Sequence, residues 1–124
     1  MADRIEMHIF GVVPEKTLEQ FKSLVKDEIA IERADAHALR KEWFLGGADD
    51  RAFRVVVVCE SSEAMLRYFE GLEARSYGDR FNEVCQWTRV EVFGNPSNAV
   101  RELFGSHGVD DKIDYFPALE GFSR

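Results

Sequence analysis

The stretch Arg51-Ala-Phe-Arg-Val-Val-Val-Val-Cys-Glu60 contains four consecutive valines, where an amphipathic strand would alternate apolar and polar residues. A continuous β-branched run is typical of a strand that is covered on both faces. Helices encoded by the flanking sequence can cover one face. A chain of 124 residues has few elements left for the other face, so a second copy of the protein is the simplest cover. The run therefore predicts an α+β sheet whose far face is a dimer interface.

The composition fits one globular domain, with 45% hydrophobic and 31% charged residues. The formal net charge of −7 argues against nucleic acid as a partner, because nucleic-acid binders concentrate Lys and Arg on one face. The N-terminus has no apolar signal segment and no window reaches the length of a membrane span. We therefore expect a soluble, cytoplasmic protein with no membrane partner. Cys59 and Cys85 stand in no CxxC motif, which favours reduced, buried thiols.

The first half of the chain alternates between strand and helix patterns. Residues 5 to 13 alternate and meet Pro14, which predicts a strand that ends at the proline. From Thr17 an apolar stripe at three- and four-residue spacing predicts an amphipathic helix, whose tail and turn fall in 31–37. A second strand follows at 38–45. One side of it carries Leu39, Lys41, Trp43 and Leu45, and its charges suggest edges that reach solvent or a pocket.

The second half begins with a hairpin, because 46–50 is dense in turn formers and joins the second strand to the valine strand. Ser61 predicts the N-cap of a second helix, and a shorter third helix follows a break near 73–76. Residues 88–93 alternate as a fourth strand. Asn95 as N-cap and Pro96 at the first helical position predict a short helix that stops at Gly105. The apolar tail 113–122 should lie on the body or on the partner.

This element order predicts a ferredoxin-like split βαβ fold with a four-stranded antiparallel sheet. We expect a single domain over 1–124, with the ferredoxin-like core in 1–94 and an extra C-terminal helix and tail in 95–124.

The sequence contains no recognisable motif for binding a metal or a cofactor. The histidines His8, His37 and His107 fall in different elements, and none has a second ligand at helical spacing. There is no GxGxxG, P-loop or GxSxG motif. We therefore expect neither a metal nor a cofactor.

The remaining candidates are polar and aromatic side chains on or beside the sheet. A cavity between helices and sheet would be lined by such groups, with the few polar ones orienting a ligand. They are His8, Trp43, Cys59 and Tyr68, with Glu42 and Arg54 as further candidates. Each also has a structural alternative. Trp43 and Tyr68 can be core aromatics, His8 a hydrogen-bonded sheet residue, and Arg54 can pair with Glu60 across an interface.

Two segments resemble a known family, the antibiotic biosynthesis monooxygenase-like (ABM) dimeric α+β barrels. Leu39-Arg-Lys-Glu-Trp-Phe-Leu45 is similar to the family's second strand, and Val58-Cys-Glu-Ser-Ser-Glu-Ala-Met65 to its third-strand-to-helix junction. Arg89-Val-Glu-Val-Phe-Gly-Asn-Pro96 resembles a subset with an extra C-terminal helix. The resemblance implies a homodimer in which two four-stranded sheets pack back to back into a barrel.

The resemblance also bears on activity, since the family includes cofactor-free oxygenases of aromatic polyketides, haem-degrading relatives and many members without known activity. Cys59 stands where many members have tryptophan, and Tyr68 where many have histidine. The first strand has His8-Ile9-Phe10 in the region where haem-degrading members use asparagine, which argues against haem degradation.

The leading hypothesis is a homodimer with a small apolar pocket in each protomer, acting as a cofactor-independent monooxygenase on an aromatic or quinol-like substrate. Such a substrate itself supplies the electron to oxygen, so the protein has to bind, desolvate and deprotonate it. His8 is the expected base, and Tyr68 a second catalytic candidate; Trp43, Cys59 and Tyr68 are the expected substrate-binding residues. The alternatives are a non-catalytic ligand-binding or structural dimer, and a small-metabolite isomerase on the same barrel. His8 can instead point to the dimer face with Phe10, because the apolar side of the first strand is Ile5, Met7 and Ile9. If His8 does not converge with Cys59 and Tyr68, the monooxygenase hypothesis loses its base and falls below the non-catalytic one.

Overall fold

The computed structural model describes residues 4–35, 37–106, 112–122 and 124. It contains five strands and four α-helices within these residues. The elements are β1 (Ile5–Val12), a short 3-10 turn (Glu15–Thr17), α1 (Leu18–Asp35), β2 (Arg40–Gly46), β3 (Ala52–Cys59), α2 (Ser62–Ala74), α3 (Tyr77–Asn82), β4 (Gln86–Phe93), α4 (Asn98–Ser106) and β5 (Ile113–Phe116).

The sheet has five strands in the order β2-β3-β1-β4-β5. The first four pair antiparallel, as the sequence predicts, but β5 runs parallel to β4. The expectation of a four-stranded antiparallel sheet is therefore corrected to a five-stranded mixed one. The reason lies in the tail, where Ile113 and Tyr115 pack against the main core cluster, and α4 supplies the crossover that a parallel pair needs.

The valine strand β3 lies between β1 and β2, and its side chains alternate between two faces. Val55 and Val57 belong to the core beneath the helices, whereas Val56 and Val58 point to the opposite side, which we call the far face. Val56 is 4% exposed and Val58 6% exposed within the single chain. Their register neighbours are longer side chains, and these can shield them. The valine run alone therefore does not require a second copy, and the dimer stays a prediction.

Helix starts follow local hydrogen bonding. The Ser61 side chain accepts a hydrogen bond of 3.1 Å from the Ala64 backbone N–H, which confirms the predicted cap of α2. The predicted cap at Asn95 is wrong. The α4 helix starts at Asn98, and Ser97 caps it by accepting from the Val100 N–H at 3.3 Å. Residues 94–97 instead turn the chain away from β4, with Gly94 at φ +112°.

Two hydrophobic clusters lie between the sheet and the helices. The larger one joins β1, β3, β4, α2 and α4, and the smaller one is an aromatic cluster around Phe21, Phe53 and Phe81. Trp43 packs against both clusters. Among the described residues, no helix has both the length and the apolar character needed to cross a bilayer.

Candidate functional site

The sheet divides the predicted site residues between its two faces. Trp43, Cys59 and Tyr68 lie on the helix-covered face, where all three belong to the larger core cluster or pack against it. His8 lies on the far face beside Val56, and its Nε2 is 2.6 Å from Glu6 Oε2. The expected convergence of His8 with Cys59 and Tyr68 does not form. The cause is the alternation of β1, which turns Ile5 and Met7 toward the helices.

A cavity of about 390 Å³ opens between the end of α1, the beginning of β2 and α2. Its lining combines apolar and charged side chains: Ile29, Glu32, Arg33, Asp35, His37, Ala38, Leu39, Arg40, Lys41, Tyr68 and Arg75. Of the predicted substrate-binding residues, Tyr68 lines this cavity, whereas Trp43 and Cys59 lie behind its wall. Burial raises the pKa of the Cys59 thiol to about 11, so it stays protonated and unreactive at neutral pH.

One buried lysine joins two buried carboxylates beside the cavity. The Lys41 ammonium lies 2.8 Å from Glu28 Oε1 and 2.7 Å from Glu32 Oε2. The side chains of Lys41, Glu28 and Glu32 are 8%, 3% and 10% exposed. Charges this deeply buried persist only when they are paired, so the three groups must be treated as one unit.

The two carboxylates of this unit differ in their surroundings. Glu28 also accepts a 3.0 Å hydrogen bond from the Trp43 indole N–H, and it does not line the cavity. Glu32 lines the cavity, and Lys41 is its ion-pair partner among the described residues. Glu28 is thus held by two donors behind the wall, while Glu32 faces the space that a ligand would occupy.

The protonation of Glu32 is set by competing effects. Burial is the largest and raises the pKa of its carboxyl above the ordinary value of 4.5; the Lys41 charge opposes that rise and the Glu28 charge adds to it. A carboxyl with a raised pKa exchanges its proton closer to neutral pH than an exposed glutamate does.

Tyr68 completes the cavity wall from α2. The Lys41 ammonium lies 5.0 Å from the centroid of its ring, which is within the range of a cation–π contact. Burial, followed by the negative charges of Glu32 and Glu28, raises the pKa of the Tyr68 phenol well above its ordinary value. The phenol is therefore a neutral hydrogen-bond donor on a residue that lines the cavity.

The cavity rim carries charges that are largely neutralised by partners. Arg75 pairs with Asp35 at 2.5 Å, and Arg40 pairs with Glu42 at 3.0 Å. The rim thus leaves little net charge to attract an ionic ligand.

Sequence patterns did not identify Glu28, Glu32 or Lys41 as site residues. A signal was present for two of them. Glu28 follows Leu24 by four positions and Phe21 by seven, so it falls on the buried stripe of α1, and Lys41 shares one side of β2 with Trp43. In the part of the chain that the structure describes, no three His, Cys, Asp or Glu side chains are grouped to hold a metal ion; His107 lies outside it.

No protein-family model matches the chain, and neither does any curated protein. Solved structures do match. MupZ from Pseudomonas fluorescens has a TM-score of 0.77 at 20% identity, over 98% of this chain and 95% of that one. SnoaB from Streptomyces nogalater, a cofactor-independent oxygenase, has a TM-score of 0.64 at 12% identity, over 78% and 97%. The hydroxynitrile lyase from Passiflora edulis has a TM-score of 0.58 at 14% identity, over 74% and 91%.

An oxygenase and a lyase thus share this architecture, so the fold alone does not name a reaction. The likenesses agree with the resemblance inferred from the sequence, and what they show is the α+β fold that this chain shares with MupZ and SnoaB.

Proposed function

We propose that the protein binds a small, uncharged organic molecule in the cavity between α1, β2 and α2. One observation carries the proposal: Glu32, Lys41 and Tyr68, whose side chains are largely enclosed, meet at the wall of one cavity of about 390 Å³. Pockets of this size with a few convergent polar groups are typical small-molecule sites.

The lining favours a molecule with an apolar body and one polar end. Ile29, Ala38 and Leu39 offer apolar contacts. The polar end would meet the Tyr68 hydroxyl and Glu32. A permanently charged ligand is disfavoured, because Lys41 is already balanced by two carboxylates and most rim charges have partners.

Calorimetric titration with a panel of small phenols and hydroquinones tests the proposal. Ala38→Trp should fill the cavity and weaken binding about tenfold or more. Ala30→Trp is the matched control, because Ala30 is exposed on α1 and does not line the cavity. Equal affinities for the two variants would contradict a site in this cavity.

A second candidate is a cofactor-independent monooxygenase acting on an aromatic or quinol-like substrate, favoured by the shared fold with SnoaB. His8 lies across the sheet from the cavity, so the activity would need another base. Oxygen consumption with the panel's hydroquinones separates oxygenation from binding alone: uptake that is lost in Ala38→Trp supports catalysis at this site.

The proposed assembly is a homodimer formed through the far face. Three of the exposed large apolar side chains, Val12, Phe44 and Phe116, lie on that face. Phe10 adds an aromatic ring to this face. The guanidinium carbons of Arg54 and Arg89 each lie 4.4 Å from the centroid of the Phe10 ring. Apolar groups spread over one sheet face favour a partner sheet, and two-fold symmetry is the common arrangement.

A further inference from the structure

We infer that the Glu32 carboxylate removes a proton from the bound molecule, and that the substrate is a neutral, weakly acidic compound such as a phenol or an enolisable ketone. This inference rests on the proposed function, because it needs a ligand in the cavity. It adds a catalytic role for Glu32 and a substrate class.

The geometry selects Glu32 over Glu28, the other carboxylate that pairs with Lys41. Glu28 is bound by both Lys41 and Trp43 and lies behind the cavity wall. Glu32 shares the same lysine but faces the cavity. A base must reach the proton that it removes, and of the two carboxylates only Glu32 meets that condition.

The charges of the site fit such a transfer. The X–H bond of the ligand breaks, an O–H bond forms on Glu32, and the electron pair remains on the ligand as a phenolate or enolate. The negative charge of Glu32 is then replaced by one on the ligand, so the net charge around Lys41 does not change. A buried site tolerates this exchange far better than the creation of a new unpaired charge. No oxidant or reductant is consumed.

Two further groups can stabilise the anion that forms. The Tyr68 hydroxyl is a neutral donor at the cavity wall, suited to bond a developing oxyanion. The Lys41 ammonium, 5.0 Å from the Tyr68 ring, supplies the positive charge that Glu32 no longer balances after protonation. The charged groups around Glu32 are Glu28 from α1, Lys41 from β2 and Arg75 at the end of α2.

4-Nitrophenol tests the inference, because it absorbs visible light when ionised. The probe is titrated at a pH where it is neutral in solution. Binding to the wild-type protein should produce the phenolate band. Glu32→Gln should still bind the probe, since its amide oxygen can accept from Lys41, but should lower the bound ionised fraction about tenfold or more. Glu19→Gln, an exposed change on the same helix, should behave as wild type.

The outcomes separate this inference from the function on which it rests. A probe that binds to wild type but stays neutral, or that ionises equally in Glu32→Gln, overturns the proton transfer while leaving ligand binding intact. A probe that does not bind at all overturns both. If circular dichroism shows that Glu32→Gln is unfolded, Glu32→Asp takes its place: it keeps the carboxyl but withdraws it from the ligand. Undiminished ionisation in that variant overturns the inference.

Discussion

Lys41 is the residue that keeps two buried carboxylates together. Its ammonium lies within 2.8 Å of an oxygen on each of Glu28 and Glu32. Removing one partner from a buried ionic unit leaves charge that neither water nor another group compensates. Lys41→Met should therefore lower the free energy of unfolding by about 3–5 kcal/mol at neutral pH, measured by urea denaturation.

The control for this loss is Lys22→Met, which removes an exposed lysine that pairs with Glu19 on the same helix. Surface pairs of this kind contribute about 0–1 kcal/mol. The Lys41→Met deficit should also shrink as the pH falls, because Glu28 and Glu32 then become neutral. A deficit that is small or independent of pH would contradict the buried ionic unit.

Glu32 gives the wild-type protein a pH dependence of known sign. Its pKa in the folded state is raised above the ordinary value of 4.5, so the folded protein holds this proton where the unfolded chain has lost it. The stabilisation is complete below the ordinary pKa and is lost as the pH rises through the raised one. Unfolding free energies measured over that range should fall with pH in wild type and in Glu19→Gln. If the unfolding free energy of Glu32→Gln falls with pH as steeply as that of wild type, another group causes the pH dependence.

Tyr68 lines the cavity, and burial keeps its phenol neutral by raising its pKa well above the ordinary value. Tyr68→Phe should weaken phenol binding about fivefold to tenfold, because a hydrogen bond to the ligand is lost, while stability changes little. Tyr77→Phe is a matched control, since the Tyr77 hydroxyl is buried with no hydrogen-bond partner among the described residues and Tyr77 does not line the cavity. A loss of stability in Tyr68→Phe equal to its loss of binding would mark Tyr68 as ordinary core.

At the scale of elements, periodicity and capping predict β1 to β4 and α1 to α3 in the right order. Those elements carry long apolar patterns or local start signals, and Ser61 is the clearest example. β5 could be expected only as an apolar tail. It has four residues, and its pairing with β4 depends on the packing of Ile113 and Tyr115 rather than on any pattern of its own.

The site could be predicted only in part. Strand alternation fixes the face of the sheet on which a side chain lies, but it does not fix which helix residues pack against that side chain. Alternation places Lys41 and Trp43 on one side of β2, and the stripe of α1 includes Glu28. The burial of Glu32 depends on how α1, α2 and the start of β2 meet, which no local pattern gives. Alternation along β1 places Ile5 and Met7 on the helix side, so the position of His8 on the far face agrees with the alternative that the sequence left open.

At the scale of the whole molecule, the far face combines charged side chains with exposed aromatic groups. Three pairs of polar groups lie along its own strands: Glu6 with His8, Arg40 with Glu42, and Arg89 with Glu91. A partner sheet would have to cover the apolar groups of this face, among which Phe44 is 45% exposed in the single chain.

Phe44→Lys tests whether the far face joins two copies. Phe44 is exposed on β2, so a lysine there is tolerated by the protomer, but in a dimer it would bury an unpaired charge. Sedimentation should show a dimer for wild type and a monomer with unchanged circular dichroism for Phe44→Lys. Ile31→Lys is the control, because Ile31 is similarly exposed on α1, on the helix side of the sheet, and its dimer should persist. A wild-type protein that sediments as a monomer at micromolar concentration would contradict the assembly, and the cavity would then have to act within a single protomer.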